Sequence, residues 1–562
     1  MAYTPYVAIK RRKRGNRVYL EEWRSYRRNG KVVSEFVRYL GPEGGKNSGY
    51  GSVFDRVSHG ESYSAGAVRL LWSLSVDLHF TETIDRICGV KSKDSPSPGT
   101  MLTAWAINRV LDPESATQLE HWIPCTDIPA LTGFAGDAFS KDAFLRSLDA
   151  VCHDEPSIAD VVDHSRELDE ALARQWREKH PLPVNERDVV AYDLTSVLFF
   201  GATCPLAAMG MNPEHQLRPQ VNLAVVVSRH DHSPLTHFVY HGNRNGKGTM
   251  RNLLAELQHS GIKPGLLIVD RGLVGRQIVD EVRGTGWHML GGVYKHIKDV
   301  KAVIDSADVP ETPANYVCGS KSGGYYATGV EAKLFGERRH LTVYTGAERE
   351  FNDREERNRE LSEAGEALTA LSVKGADWSE ARLHRAIGGI LGPWKEYVDV
   401  RVSRGTAPKV RWSYRDRTIA AAAKQDGRYL LLCTDGSMSA AEVLRAYMEK
   451  DFVEKVFRTL KTSTELEPVR HRRERRVRAY MFVCLLAYWL EVALRWRLKQ
   501  GGVNDDELAS YQERLLKELA RVQRTVVSLG GQRRTWYLNV TDFIRDGLKK
   551  ADMKDLLREE TT

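Results

Sequence analysis

The first 40 residues alternate between hydrophobic and polar side chains in short runs. The runs Arg17–Leu20 and Trp23–Tyr26 lead to Asn29-Gly30, and Lys31–Leu40 follows. An Asn-Gly pair between two alternating runs is typical of a two-residue β-hairpin turn, because both of its residues tolerate a positive φ. We therefore predict short strands across residues 5–40, with a hairpin at Asn29-Gly30.

A helical spacing of apolar residues follows a Gly- and Ser-rich stretch at residues 41–60, which we interpret as a linker. Between residues 62 and 180, apolar side chains recur at the three- and four-residue intervals of amphipathic helices. The clearest helices are predicted at residues 65–78, 100–111 and 141–153.

Hydrophobic runs of the strand type begin at residue 186. The pattern predicts two helices, at 249–260 and 275–283, among five strands, at 188–200, 221–228, 236–241, 266–270 and 288–294. The order strand-strand-strand-helix-strand-helix-strand is the opening of a ribonuclease-H-like α/β fold. Such a fold needs one more helix, and that helix carries a carboxylate.

The helix that carries the carboxylate does not follow directly in the sequence. Residues 299–438 mix strands with a charged helix at 348–371, so we predict an inserted mixed α/β domain there. A clear helix is predicted at 439–462, followed by a long helix at 475–499 and a largely polar helical tail. The most apolar stretch, residues 479–490, is too short to span a bilayer, which favours a buried core helix.

The composition of the chain indicates which kinds of partner and metal site are expected. The chain has 562 residues with 42% hydrophobic residues and a formal net charge of +8, which permits a polyanionic partner without requiring one. Its 7 cysteines are scattered and include no C-x-x-C pair. A zinc ribbon is therefore not expected. The scattered cysteines are expected to be free thiols in a reducing compartment.

Basic residues are concentrated in two runs. The first covers residues 10–14 and the second covers residues 470–478. Either run could be a solvated surface, and either could contact phosphate. The candidates for phosphate contact in the first run are Arg11, Arg12, Lys13 and Arg14.

The helix predicted at residues 439–462 carries the most informative pattern. Four side chains recur at relative positions 0, 3, 7 and 14, namely Tyr447, Lys450, Glu454 and Lys461. At about 100° per residue these positions fall within an arc of roughly 60°. Apolar residues occupy the opposite side of the helix, namely Phe452, Val453, Val456 and Leu460. A surface helix with i,i+4 charge pairs would be the plain alternative.

Two aspartates lie at or near the ends of apolar strands upstream of this helix. Asp193 follows Val189-Val-Ala-Tyr, and Asp270 follows Leu266-Leu-Ile-Val. Either aspartate alone would be interpreted as a cap or loop residue. On adjacent parallel strands, with Glu454 packed over them, the three carboxylates would raise one another's pKa unless a cation lay between them. Two divalent ions about 3.5–4 Å apart would supply that charge, and Mg²⁺ suits oxygen ligands and phosphate substrates.

Four stretches of the chain form a recognisable set. They are Tyr192-Asp-Leu-Thr-Ser196, Val269-Asp-Arg-Gly272, Tyr447-x2-Lys450-x3-Glu454-x6-Lys461 and the hairpin at residues 17–41. Together they resemble the DDE transposases of bacterial insertion sequences, in the superfamily of insertion sequence 4, with its insertion sequence 1634 branch the most similar. The third stretch matches that family's Y-R-E-K signature except at Lys450, where the signature has arginine. A lysine can hold a phosphate as a point charge, but it cannot fork onto it.

The resemblance implies a role for each matching residue. Asp193 and Asp270 would bind the metal ion shared by both chemical steps, and Glu454 would complete a second metal site. The ions would be Mg²⁺, with Mn²⁺ able to substitute. Tyr447, Lys450 and Lys461 would contact the terminal phosphates of the DNA. Arg271 would either reach phosphate or pair with a catalytic carboxylate.

The resemblance also implies cut-and-paste DNA transposition. Water would free a 3′ hydroxyl at the element end, and that hydroxyl would attack target DNA. The expected partners are double-stranded DNA, with its terminal inverted repeats and its target, and a second copy of the chain in a homodimer on DNA. No membrane partner is expected. The expected location is the cytoplasm of a bacterium, with nucleoid association when the protein is bound to DNA.

The expected domains follow these boundaries. They are an N-terminal basic β-hairpin and linker at 1–50, a helical DNA-binding region at 51–185, the ribonuclease-H-like core at 186–298 and 439–500, an inserted domain at 299–438, and a helical tail at 501–562.

Three alternatives remain open. A ribonuclease-H-like nuclease or domesticated transposase would use the same acids to cut without joining. A tyrosine recombinase would use Tyr447 as its nucleophile and need no metal. A structural DNA-binding protein would carry inactive carboxylates, although the intact Asp, Asp and Glu argue against it.

Some residues have weaker assignments. Trp378, Trp394 and Trp412 could stack on a flipped base, but buried core positions are the expected reading for each. Residues 241–243 favour a turn over ligands, and a lone histidine such as His471 is usually structural.

Overall fold

The computed structural model describes residues 6–15, 17–28, 31–43, 57–154, 161–184, 186–201, 203–211, 216–244, 246–259, 263–320, 323–403, 409–529, 532–558 and 560–561. All helices, strands and contacts given below lie within these ranges. The chain forms two compact units. The first unit comprises Met1–Ser147 and Ala493–Thr562, and the second unit comprises Leu148–Val492.

The N-terminal part of the first unit is a three-stranded antiparallel sheet. Its strands, in spatial order, are Tyr6–Arg14, Arg17–Arg28 and Lys31–Pro42. The prediction of strands across residues 5–40 is therefore confirmed. Arg28 pairs with Lys31 on either side of the predicted turn, while Asn29 and Gly30 themselves lie outside the described residues. The first basic run lies on an edge strand of this sheet.

The predicted helices of residues 62–180 are confirmed. Ser97 and Ser115 cap two of them by accepting hydrogen bonds from the backbone N–H groups of Thr100 and Gln118, which satisfies donors left free at a helix start. The helices of this region are Gly66–Asp77, Phe80–Cys88, Pro98–Leu111, Ala116–Trp122, Ile128–Thr132, Lys141–Val151 and Ser165–Lys179.

The C-terminal tail is not purely helical, contrary to the prediction. Helices Asp505–Leu519 and Asp542–Lys550 flank a β-hairpin, and the hairpin belongs to a four-stranded sheet. The strands of that sheet are Glu560–Thr561, Gln532–Leu538, Gln523–Leu529 and Val57–Ser64. Residues 57–60 of the expected linker thus lie in a strand, and residues 44–56 lie outside the described residues. Val526, Val527, Trp536 and Tyr537 are residue types that suit strands.

A mixed ten-stranded sheet forms the centre of the second unit. Nine strands follow one another in the order Pro234–His241, Leu217–Ser228, Val189–Leu198, Leu266–Val269, His288–Val293, Tyr429–Cys433, Glu337–Gly346, Gly323–Leu334 and Tyr316–Ser320. A tenth strand, Ala208–Met211, pairs with Leu217–Ser228 and was not predicted.

The strand directions agree with the order of elements read from the sequence. The first three strands along the chain pair antiparallel. Leu266–Val269 then runs parallel to both Val189–Leu198 and His288–Val293. Helices Met250–His259 and Arg276–Arg283 provide the crossovers that parallel neighbours require. We call Val189–Leu198 the first-aspartate strand and Leu266–Val269 the second-aspartate strand.

The predicted inserted domain at 299–438 needs correction. Its strands between residues 316 and 346, and the strand Tyr429–Cys433, are part of the central sheet. They pair there because Leu430 to Cys433 align in register with the buried strand His288–Val293. The segment with a core of its own is shorter and contains Ala347–Lys374, Glu380–Leu391, Val398–Val402, Val410–Tyr414 and Asp416–Ala423.

The three tryptophans of this shorter segment are half-buried and pack against its core, although the expectation was that each would be a buried core residue. Trp378, Trp394 and Trp412 all pack against a cluster that includes Leu368 and Leu383. Because their rings contribute to this packing, their placement supports a structural role.

The long helix Glu474–Gln500 has the length and hydropathy to cross a membrane, and 94% of its most apolar 18-residue window is buried inside the protein. Such burial is what the prediction of a core helix requires. The helix runs from the second unit into the first, since the boundary falls between Val492 and Ala493.

Replacing Leu368 by alanine should destabilise the segment around its core by about 2–5 kcal/mol, because the side chain is fully buried and a cavity would remain. The neighbouring tryptophans report on this core, so urea unfolding followed by tryptophan fluorescence measures the effect. Val373→Ala, on the same helix but 77% exposed, should change stability by less than about 0.5 kcal/mol. Equal effects of the two substitutions would contradict this assignment of the core.

Candidate active site

Asp193 and Asp270 are brought side by side by the register of two parallel strands. Tyr192 of the first-aspartate strand pairs with Val269, the last residue of the second-aspartate strand. Each aspartate is the next residue along the chain, so the two residues lie side by side, about 5 Å apart in strand spacing. Asp270 follows the end of its strand, whereas Asp193 lies inside a strand that continues to Leu198. The strand residues that precede them, from Val190 to Tyr192 and from Leu266 to Val269, are buried.

The expected single helix at 439–462 is divided. Helix Ala440–Met448 ends before Lys450, and helix Asp451–Arg458 begins after it, followed by a π-helical turn at Thr459–Ser463. Around the break, backbone N–H groups bond three residues back, from Lys450 to Tyr447 and from Val453 to Lys450. Such tighter bonds bend the chain. We call Asp451–Arg458 the glutamate helix.

The glutamate helix packs on the first-aspartate strand. Its apolar side is buried as predicted, through Phe452, Val453, Val456 and Phe457. Glu454 is exposed on the other side. It is near enough to the strand for its charge to act on Asp193. The fold therefore brings all three predicted carboxylates into one neighbourhood.

Lys450 supplies a positive charge to this neighbourhood. Its Nζ donates a hydrogen bond to Oδ1 of Asp270 over 2.9 Å, and 20% of its side chain is exposed. Burial lowers the pKa of Lys450, but Tyr447, Asp270 and Asp193 outweigh that effect and raise it. Lys450 is therefore held in its charged form against the carboxylates.

The two aspartates have opposite electrostatic shifts. Burial, reinforced by the charges of Asp270 and Glu454, raises the pKa of Asp193 to about 6. Burial also acts to raise the pKa of Asp270, but the ammonium of Lys450 and the guanidinium of Arg271 lower it overall. Of the two aspartates, Asp270 is therefore the one whose charge is better offset by nearby cations.

Whether these three carboxylates could bind a metal ion depends on their arrangement and on the atoms they offer as ligands. Within the described residues, no three His, Cys, Asp or Glu side chains lie in an arrangement that could already hold a metal ion. The expectation that the three carboxylates converge on one point is therefore not met in the described residues, and the ammonium of Lys450 contacts Asp270 there. The oxygen donors of Asp193, Asp270 and Glu454 nevertheless suit a hard divalent cation, and the raised pKa of Asp193 indicates a site that a further positive charge would stabilise.

Comparison with known proteins identifies the family. A family model described as a transposase DDE domain matches residues 185–490, which is more than half of the chain. The chain belongs to the DDE transposase family.

Comparisons with curated proteins and with solved structures give the following results. No curated protein matches the sequence of this transposase. Among solved structures, the cryo-EM structure of a piggyBac transposase synaptic complex with hairpin DNA is similar with a TM-score of 0.38 and 11% sequence identity, covering 88% of this chain and 85% of the other.

The remaining signature residues of this transposase do not share one exposed face. Tyr447 is 5% exposed and packs toward the sheet. A Cβ atom added at Gly292 would lie 2.9 Å from the Tyr447 hydroxyl and 3.5 Å from Nε of Arg271. Glycine at position 292 therefore lets both side chains approach the strand, a close contact that no pattern in the sequence indicates.

Lys461 lies farther from the carboxylates. Its Nζ donates to the backbone oxygen of Ser196 over 2.6 Å and lies 3.6 Å from a carboxylate oxygen of Glu467. Ser196 is three residues beyond Asp193, or about 10 Å along an extended strand. In this conformation the ammonium of Lys461 is engaged by the protein itself.

The two basic runs of the transposase differ. Arg11, Arg12, Lys13 and Arg14 are exposed on the edge strand of the first unit, and Arg11 lies 2.6 Å from Glu43. In the second run, Arg475 and Arg476 both pair with Asp149, and Arg478 pairs with Glu474. Much of the second run therefore stabilises the fold. The sequence does not indicate this role, because Asp149 is far from these arginines along the chain and meets them only in the folded structure.

The structure also places His241 and His471. His241 is exposed, and its Nδ1 atom lies 3.1 Å from the backbone oxygen of Pro205. The His471 ring packs against Tyr480 with centroids 5.2 Å apart. Both arrangements agree with structural roles.

The pKa of Asp193 predicts a pH-dependent stability. Its value in the folded protein, about 6, lies above the ordinary value of 3.8, so folding takes up a proton between those values. The free energy of unfolding should therefore fall as pH rises from about 4 to about 6. Asp193→Asn removes this loss and should be more stable than the wild type at pH 7 by about 1–3 kcal/mol without metal.

Urea unfolding in EDTA across pH 3.5–7.5 measures this difference. The advantage of Asp193→Asn should disappear below about pH 4, where the wild-type carboxyl is protonated in both states. A difference that is independent of pH would contradict the assignment. Asp451→Asn, which changes an exposed acid of the glutamate helix, is the control and should show no such trend.

Proposed function

We propose that the protein is a DNA transposase of a bacterial insertion sequence, in the superfamily of insertion sequence 4 and its insertion sequence 1634 branch. It would cut DNA at the element ends and join the freed 3′ hydroxyl to target DNA. The observation that carries this proposal is the pairing of Asp193 and Asp270 at one edge of the sheet, beneath the helix that bears Glu454.

The sheet supports a ribonuclease-H-like core. Three antiparallel strands are followed by two strands parallel to the first, each reached through a helix. This arrangement puts the carboxyl ends of the parallel strands at one edge, where a polar site can form without breaking the core. The glutamate helix, although distant in sequence, packs on the first-aspartate strand and completes the arrangement.

Each carboxylate has a distinct role in the proposed reaction. Asp193 and Asp270 would hold the divalent ion shared by both steps, and Glu454 would complete the second site, with Mg²⁺ as the expected ion and Mn²⁺ as a substitute. When bound, two such ions activate the attacking oxygen and stabilise the phosphoryl-transfer transition state.

Lys450 would turn from Asp270 to a DNA phosphate once that carboxylate has another cation. Its ammonium has a flexible stem and can make the move, although it cannot form the forked contact of an arginine. Lys461 would contact DNA after leaving Ser196. The phosphate contact that the family resemblance implies for Tyr447 would require this buried side chain to become accessible when DNA binds.

A tyrosine recombinase is less well supported. Such an enzyme needs the hydroxyl of its nucleophile at the DNA surface, whereas Tyr447 is 5% exposed and faces the sheet. A nuclease that cuts without joining would use the same carboxylates, so strand transfer is the measurement that separates it from a transposase.

The proposed partners are double-stranded DNA and a second copy of the chain. The working form would be a homodimer that holds two element ends, in the cytoplasm of a bacterium. Arg11, Arg12, Lys13 and Arg14 would contact phosphates, because they form an exposed basic row on an edge strand.

Glu454→Gln should abolish metal-dependent cleavage of DNA that carries the element ends. Loss of a metal ligand removes several kcal/mol of transition-state stabilisation, which corresponds to a rate at least about 100-fold lower. Gel analysis of cleavage with Mg²⁺, with Mn²⁺ and with EDTA measures this rate. Products joined to a target duplex report strand transfer in the same reaction.

Asp451→Asn is the matched control for this variant. It removes a carboxylate from the same helix at an exposed position, so its cleavage rate should remain within about twofold of the wild type. Equal cutting by Glu454→Gln and the wild type, or cutting in EDTA, would overturn the mechanism. Cleavage without any joined product would support the nuclease.

A further inference from the structure

Several residues lie on the catalytic edge of the sheet beyond the carboxylates. Strand His288–Val293 runs parallel to the second-aspartate strand, so Lys295 follows its end at that edge. Tyr429 begins the next strand, which runs antiparallel, and therefore lies at the same edge. Two steps of about 4.8 Å between strands separate the strand of Tyr429 from the strand of Asp270.

Three cations surround the ring of Tyr429. The Nζ atom of Lys295 lies 3.9 Å from the ring centroid, and the guanidinium carbons of Arg271 and Arg349 lie 4.9 and 5.3 Å from it. Tyr344, paired with Tyr429 in the sheet, stacks on it with centroids 5.6 Å apart. We call Arg271, Lys295 and Arg349 the cation cluster.

The positive charge of the cation cluster is only partly balanced. Asp353 lies 2.7 Å from Lys295. In the described part of the chain, neither Arg271 nor Arg349 forms an ion pair with a carboxylate, and the buried Nε of Arg349 has no hydrogen-bond partner. Contacts with aromatic rings offset part of the repulsion between like charges. A bound anion would stabilise a half-buried cluster of this kind further.

We propose that the cation cluster is a phosphate-binding site that holds the DNA backbone a few nucleotides from the bond being cut. This proposal rests on the proposed function, because it assigns a second contact for the same DNA. A separation of about 10 Å corresponds to about three nucleotides at 3.4 Å of axial rise per strand. Arg271 connects the two sites, since it follows Asp270 directly and also contacts Tyr429.

Guanidinium groups favour phosphate as the ligand. Their planar donors match two phosphate oxygens at once, and they remain charged at any physiological pH. Tyr429 fixes their positions from beneath, because its hydroxyl is itself held by Asp353. Its ring therefore serves as a rigid support for both arginines.

DNA binding as a function of salt tests this proposal. The probe is a labelled DNA duplex of arbitrary sequence, since phosphate contacts do not depend on sequence. The full-length protein is titrated in EDTA so that no cleavage occurs. Each phosphate contact contributes about −0.9 to the slope of log K against log salt, so Arg349→Met should make the slope less steep by about 0.9.

Two control variants accompany Arg349→Met. Arg354→Met removes the same charge from an exposed position on the same helix and should keep the wild-type slope. Arg349→Lys retains the charge and should also keep most of the slope. Thermal unfolding by circular dichroism establishes that each variant is folded.

The outcomes separate this proposal from the proposed function. A wild-type slope for Arg349→Met, while the wild type binds DNA, would overturn the phosphate site and leave the transposase function intact. An equal loss of slope in Arg349→Met and Arg349→Lys would also overturn it, because charge would not be the cause. If the wild type shows no salt-dependent binding of DNA, both proposals are wrong.

Discussion

Two neighbouring parallel strands hold the carboxylates of Asp193 and Asp270 side by side, and their mutual repulsion is the constraint on which the site depends. The strands cannot move apart, because buried residues on both sides form the centre of the sheet. The repulsion must therefore be relieved by protons or by cations. The pKa of Asp193 is raised to about 6, mainly by burial and to a lesser extent by the charge of Asp270, so a proton on Asp193 would be one form of relief. Lys450, bonded to Asp270, shows the second.

Lys450 connects the electrostatics of the site with the shape of the chain around it. It stands where the two halves of the signature segment separate, as the residue that precedes the glutamate helix. From that position its ammonium reaches Asp270 while Glu454 lies on the following turn of helix. The same break leaves Tyr447 on the preceding helix, turned toward Gly292. A family signature that is regular in sequence is therefore divided in space between a buried and an exposed part.

Charge at the catalytic edge changes sign along the sheet. The carboxylates occupy the two aspartate strands, and cations gather around Tyr429 about two strands farther along. A polyanion lying along this edge would meet repulsion at the carboxylates, unless metal ions screened it, and attraction beside them. Such an arrangement would hold DNA close to the carboxylates.

Local sequence determined much of this structure. Short-range hydrophobic periodicity located the strands and helices of the core, because the side of an element that is buried repeats with the period of that element. The positions of Asp193 and Asp270 at the ends of apolar runs, and of Glu454 opposite an apolar stripe, were likewise visible in the chain. The division at Lys450 was not, since no proline or glycine marks it.

Only the tertiary structure decided which distant segments meet. Strand Tyr429–Cys433 joined the central sheet instead of an inserted domain, and Asp149 took up Arg475 and Arg476 from the second basic run. The cations around Tyr429 come from three separate segments of the chain. These outcomes depend on pairing and packing between residues that are far apart in the chain. The free energy of such a contact depends on which partner residue lies nearby in the folded protein. A local sequence pattern does not contain that information.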